Sequence, residues 1–339
     1  MSAHPPPSAR GRNLLLILRR TILAVATVPL LQAGALAQSA KAHRVGLVSV
    51  GAPNAGVLGT DLTGDFSRRG YVVDRDIVFD RRAAEGVPDR VPGLIEALVA
   101  QHVDVIMTQG YTAAIAAKEL AGTTPVVVTL SGDPVATGLA ASLSHPGGNI
   151  TGVSEVAGEL SAKRLGLLKE AVPSVHTVAV LWNANDYGMT LRYQAAEAEA
   201  RRLGIVIVPL GVRAPDDFDT AFDEMTRKPP DAILMVTDVL TVLNRQRVID
   251  FAAEHRLPAI YEYAYLVQNG GLLSYGPDVA EIFDRAVGLA DRILKGTHPA
   301  DLPLELPTRF ELAVNLKTAK TLELTIPESI LVRADDLIE

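Results

Sequence analysis

The chain has 339 residues, a formal net charge of −7, 48% hydrophobic but only 5% aromatic side chains, and no cysteine. That excludes disulfides, thiolate metal sites, a cysteine nucleophile and a lipidated N-terminal cysteine, and the lack of clustered Lys and Arg speaks against nucleic acid as a partner. A core of Val, Leu, Ile and Ala suits parallel sheets covered by helices, and roughly 300 residues suit two domains of about 150 each.

In chain order, residues 1–37 read as an export signal. Arg10, Arg12, Arg19 and Arg20 precede an apolar run at 21–31, and Ala35 and Ala37 are the small residues expected ahead of cleavage after Ala37. The run is about eleven residues where a bilayer span needs roughly 20. No stable membrane insertion is therefore expected after cleavage, and in a bacterium the mature protein would be periplasmic.

Strands are read at 44–50, 76–80, 103–108 and 125–130. Between them lie a helical stripe of Leu94, Ile95, Leu98 and Val99 and an alanine-rich helix at 113–120. After His145-Pro146-Gly147-Gly148 the alternation restarts, with strands at 177–182, 205–210, 232–237, 259–261 and 272–275. The helices between them fall near 160–171, 191–203, 218–227 and 243–255. Val279, Ile282, Phe283, Ala286, Val287, Ala290, Ile293 and Leu294 step by threes and fours, a strongly amphipathic helix ended by Gly296. An extended segment and a short helix at 316–324 follow. The expectation is an α/β protein of two Rossmann-like lobes, each a parallel sheet flanked by helices.

The chain carries neither a P-loop nor a G-x-S-x-G elbow, and its mature histidines are isolated, without zinc-like spacing. No cofactor, metal or catalytic residue is implied. A carboxylate-based enzyme remains an alternative, because paired acids follow no local spacing rule.

Open α/β sheets bind ligands beyond the carboxyl ends of their strands. Five such junctions are polar: Ser49-Val50-Gly51, Gln109-Gly110-Tyr111-Thr112, Ser131-Gly132-Asp133, Asn183-Ala184-Asn185-Asp186 and Thr237-Asp238. Singly, each is also readable as a helix cap or turn. Together they form two facing rims.

Four long stretches then carry a resemblance: GDPVATGLAASLSHPGGNITG (132–152), ELSAKRLGLLKEAVP (159–173), GGLLSYGPD (270–278) and ELPTRFELAVNLKTAKTLELTIPESILVRADDLIE (305–339). From about His43 onward the chain resembles ABC-transporter substrate-binding proteins of the tryptophan and tyrosine transport type, which share the type I periplasmic binding protein fold. The resemblance implies three crossings between lobes, near Gly152, Ser274 and Leu306. One lobe would then comprise 43–152 plus 275–305 and the other 153–274 plus 306–339. It also implies an ABC permease as partner and a small amino acid-like carboxylate as ligand, with a sensory role without transport as the alternative. Ala184 and Tyr111 depart from the family pattern at the proposed cleft.

With such a ligand, Gly110, Tyr111 and Thr112 would hold the carboxylate at a helix start and Asp238 the ammonium group. Tyr111, Tyr261, Tyr263 and Tyr275 would supply apolar walls. Ser49, Ser131, Asp133, Asn183, Asn185, Thr237 and Glu262 complete the expected binding set.

Overall fold

Short runs of Val, Ile, Leu and Ala, buried on both faces, make two sheets. The computed structural model describes residues 1–4, 41–51 and 62–339. The cleavage point and nearly all of the expected export signal lie outside the described residues. Met1–Lys41 and Ala42–Glu339 are separate units, and every element below belongs to the second.

The first half alternates β1 (His43–Ser49), α1 (Leu62–Arg68), β2 (Ile77–Ala83), α2 (Val91–Ala100), β3 (Val105–Gln109), α3 (Tyr111–Leu120), β4 (Val126–Thr129) and β5 (Ile150–Gly152). Its strands are all parallel, in the order β2-β1-β3-β4-β5. Alternate residues serve opposite faces, as the pleat requires. Ile106, Val126 and Val128 pack under α2 and α3, while Val105, Met107 and Val127 pack with Phe66 of α1 on the other side.

The second half runs α4 (Ala157–Ala171), β6 (Thr177–Asn183), α5 (Tyr187–Leu203), β7 (Val206–Val212), α6 (Asp217–Arg227), β8 (Ala232–Met235), α7 (Val239–Leu243), α8 (Arg245–Glu254), β9 (Ala259–Tyr261), α9 (Ala264–Gln268) and β10 (Leu273–Pro277). There follow α10 (Val279–Leu294), β11 (Phe310–Asn315), α11 (Leu316–Thr321), α12 (Glu328–Leu331) and β12 (Asp336–Ile338). The sheet order is β12-β11-β10-β9-β8-β6-β7. Val178 and Val180 face α4 and α5, and Ala179 and Leu181 face α6 and α8. Read from β7 to β10, this sheet repeats the strand order of the first.

The chain passes between the sheets three times. It leaves the first after β5, and it returns between β10 and α10, whose Ile282, Phe283, Ala286 and Val287 pack against the first sheet. It leaves again before β11. The crossings are bonded side by side: Val153 bridges Glu305, with Glu305 N–H donating to Gly152 O at 2.9 Å, and Asp278 N–H donates to Arg309 O at 3.1 Å.

Several details differ from the sequence reading. Strand β10 stays paired with β11 through Pro277, so residues 275–277 lie in the second sheet and the chain turns back to the first at Asp278. Strand β11 runs antiparallel to β10 because the chain leaves the second sheet and re-enters it at the same edge, where Pro277 pairs with Phe310. The helix expected over 243–255 is α8, and a further short helix, α7, precedes it. Asp238 and Thr241 form a reciprocal capping box that starts α7 early, and Asn244, at φ −102° and ψ 9°, separates it from α8.

Candidate functional site

In a sheet ordered β2-β1-β3, adjacent strands send their connections to opposite faces, and a crevice opens where the order reverses. The first sheet has that point between β1 and β3, the second between β6 and β8. The two face each other across a cleft of about 480 Å³. Val50, Gln109, Gly110 and Thr112 line it from the first sheet, and Asn183, Asn185, Asp186, Thr237 and Asp238 from the second. The rims touch: a Cβ on Gly188 of α5 would lie 3.7 Å from Tyr111 Cβ of α3.

Most of the wall is apolar. Val87, Pro88 and Leu130 face Met189, Pro215, Val239, Leu240, Val242 and Leu243, with Tyr263 and Tyr265 beside them. Four of the five residues of α7 contribute, two of which, Val239 and Leu240, also pack against the cores of the first and second halves. Polar groups are few and placed. Thr237 Oγ1 and Tyr265 Oη are buried without a hydrogen-bond partner, and burial pushes the Tyr265 phenol pKa up, so both are donors available to a ligand.

Two carboxylates stand at the second rim. Asp186 caps α5, Oδ1 accepting from Met189 N–H at 3.1 Å, and is 5% exposed. Burial, helped by the charge of Asp238 and opposed by the Met189 hydrogen bond and by Arg192, raises its pKa to about 6. Asp238 caps α7, Oδ1 accepting from Thr241 N–H at 2.9 Å and Oδ2 from Asn183 Nδ2 at 2.6 Å. Burial raises its pKa too, against those same hydrogen bonds.

Opposite them, α3 begins at Gly110, whose φ of +83° suits glycine and which supplies no side-chain cap. No side chain caps the first amides of α3, which lie at the positive end of the helix dipole, and Gly110 and Thr112 there line the cleft. Arg213 stands exposed at the rim. Its backbone N–H donates to Asp217 at 2.7 Å, while its guanidinium has no partner among the described residues.

Of the residues expected from sequence, Gly110, Thr112, Asn183, Asn185, Thr237, Asp238 and Tyr263 line the cleft. The others do not. Ser49 borders a separate recess of about 50 Å³ with Leu62, Arg81 and Phe283. The side chain of Tyr111 packs into the first core, Ser131 is fully buried, and Asp133 caps the turn through Val135 and Ala136 N–H at 3.0 Å. Tyr261 belongs to the core beneath α6 and α8. Glu262 is ion-paired with Arg164 and Arg192 at 2.8 and 2.7 Å, and Tyr275 stacks on Phe310 and accepts from Lys163 at 2.5 Å. Arg213, Tyr265 and the α7 side chains line the cleft without having been expected there. Asp186 was legible only as part of its junction.

Comparisons with known proteins fit this geometry. Residues 62–338 match the family described as ABC transporter substrate binding protein. A tyrosine-binding protein of Clostridioides difficile is 26% identical over 257 residues, which is 76% of this chain and 73% of that protein. The ABC domain from Streptococcus pneumonia in complex with L-Trp has a TM-score of 0.82 at 24% identity, over 88% of this chain and 100% of that one. A conserved domain protein from Vibrio cholerae gives the same TM-score, identity and coverage. A ligand-free, open substrate binding protein from Clostridium difficile gives 0.62 at 21% identity, over 87% and 99% of the two chains. With its two α/β halves, three crossings and facing strand ends, the chain belongs to the family of ABC transporter substrate-binding proteins.

Proposed function

We propose that the protein is exported to the periplasm, captures an α-amino acid with an apolar or aromatic side chain in the inter-sheet cleft, and delivers it to the permease of an ABC importer. The observation that carries the ligand class is the pairing of Asp186 and Asp238 with an apolar wall. Two carboxylates in a poorly solvated cleft are costly until a cation joins them, and a ligand ammonium group is such a cation. The uncapped amides of α3, Thr112 and Arg213 then receive the ligand carboxylate. A cleft of about 480 Å³ leaves room for a ring between Met189, Leu240 and Tyr265. The names of the tyrosine-binding and L-Trp-bound relatives support the same ligand class.

Mass spectrometry of the small molecule released by denaturing natively purified protein tests this, with calorimetric titration of L-tyrosine and L-tryptophan alongside. The expected result is an amino acid in the first measurement and saturable binding in the second. Release of a ligand with no amino group, such as a sugar, overturns the proposal.

A further inference from the structure

Beneath the cleft floor lies a group of charges that ligand contact does not explain. Glu155, Arg164, Arg192 and Glu262 have side chains only 1–3% exposed, and they alternate in sign. Arg192 Nη1 donates to both Glu262 oxygens, at 2.9 and 2.7 Å. Arg164 Nη1 donates to Glu262 Oε1 at 2.8 Å, and Arg164 Nε to Tyr275 O at 2.6 Å, close to the second crossing. Apolar side chains of similar volume would fill such a place at no electrostatic cost, so a buried ionic network is weak evidence of stabilisation and calls for another account.

Glu155 supplies one. It sits on the first crossing and holds three groups from three parts of the molecule. Its Oε2 accepts from Gly132 N–H at 2.9 Å, on the loop after β4 of the first sheet. The same oxygen accepts from Arg192 Nη2 at 3.2 Å, on α5 of the second half. Its Oε1 accepts from the Tyr263 hydroxyl at 2.7 Å, and the ring of Tyr263 lines the cleft. Gly132 has φ +80°, which favours glycine, and a Cβ there would stand 3.2 Å from Arg192 Nη2, so a larger residue would be strained and would press on the guanidinium.

We infer that Glu155 is a positioning residue that makes closure of the two halves and placement of the Tyr263 ring a single event. Rotation about the crossings changes the disposition of the Gly132 loop relative to α5. Glu155 N–H also donates to Gly132 O at 2.8 Å, so the carboxylate stays with the first-sheet loop, and an opening that carries Arg192 and Tyr263 away with the second half releases the Tyr263 hydroxyl. Conversely, a ligand that packs on Tyr263 favours the arrangement in which Glu155 is fully bonded, and differential affinity of that kind is what shifts a two-state equilibrium. The inference rests on the cleft lining and not on the identity of the ligand.

The test uses the absence of native cysteine. Tyr111→Cys with Gly188→Cys places two Cβ atoms about 3.7 Å apart across the rims, within the span of a disulfide. The rate at which a fixed oxidant links them in the ligand-free protein reads the closed population, however small. Into this background go Glu155→Gln, Tyr263→Phe and the double variant. The expected result is that each single variant slows linking by about fivefold or more, and the double variant by no more than the slower single. Linking within about twofold of the parent for Tyr263→Phe, or slowing that multiplies in the double variant, overturns the inference. A merely structural Glu155 would lower the melting temperature and leave linking by Tyr263→Phe unchanged. If Glu155→Gln does not fold, Tyr263→Phe, which deletes one hydroxyl, decides alone.

Discussion

The side-chain amide of Asn183 donates to Asp238 Oδ2 at 2.6 Å, joining the ends of β6 and β8 across the point where the second sheet reverses its strand order. The other oxygen of Asp238 caps α7, so one carboxylate fixes the rim and faces the cleft. Asparagine keeps the cap and removes the charge. Because its NH2 would then face the Asn183 NH2, Asp238→Asn is expected to cost about 1–3 kcal/mol of stability, and about 2–5 kcal/mol in binding an amino acid. Calorimetry beside thermal melts separates the two, and wild-type affinity in the variant takes the ammonium away from Asp238.

The pKa of Asp186, raised by burial from 3.8 to about 6, sets a pH dependence. Because the folded value lies above the unfolded one, the folded state holds an extra proton between about pH 4 and 6. The group's stabilising contribution is complete below about 4 and is lost as pH rises through about 6, on the order of 2–3 kcal/mol. Ligand binding has the opposite sign, since an ammonium group needs the ionised carboxylate. Affinity is expected to rise with pH through about 6 and level off above 7. Denaturant melts and titrations from pH 4 to 8 should show both trends in the wild type and weaker ones in Asp186→Asn, where Asp238, also raised by burial, still titrates.

Arg213, exposed and with its guanidinium unpaired among the described residues, is the one Lys or Arg among the residues that line the cleft. Arg213→Ala is expected to weaken binding of an α-amino acid by up to about 1 kcal/mol, the usual scale for an exposed ion pair. The decarboxylated amine of the same side chain should bind the variant and the wild type equally. Equal losses for both ligands would assign Arg213 a packing role only.

Gly276 of β10 runs so close to the chain beside it that a Cβ would lie 2.1 Å from Glu262 O. Backbone cannot yield as a side chain does. Gly276→Ala is therefore expected to cost about 3 kcal/mol, at the upper end for overpacking, and to disturb the Arg164–Glu262 pair. A melting temperature within about 2 °C of the wild type would show that the strands part easily.

The strands and their two-lobed grouping were legible because parallel strands covered on both faces must be short and β-branched, and few other structures share that composition. The junctions were legible for a related reason, since polarity returns where the sheet ends. Which way each junction turns was not. Tyr261 and Tyr263 are two residues apart, yet the first is inside β9 and belongs to the core while the second lies beyond it and reaches the cleft. Sequence reading cannot assign that difference without knowing where the strand stops. Helix α7 is five residues long, too short for periodicity to register. Glu262 looks like any exposed acid until its two arginines, from two other helices, are placed beside it.

Helix α10 completes the first core but lies in the chain beyond β10 of the second sheet. Val45, Val105, Met107 and Val127 owe much of their cover on that face to Ile282, Phe283, Ala286 and Val287. Within residues 43–152 that side of the sheet has partial cover from Leu62 and Phe66 of α1, and the rest arrives only with α10. A truncation before Val279 would leave much of that side exposed, as sticky as any unfinished sheet. The two halves share a shape, but the first is completed only by contacts far apart in sequence.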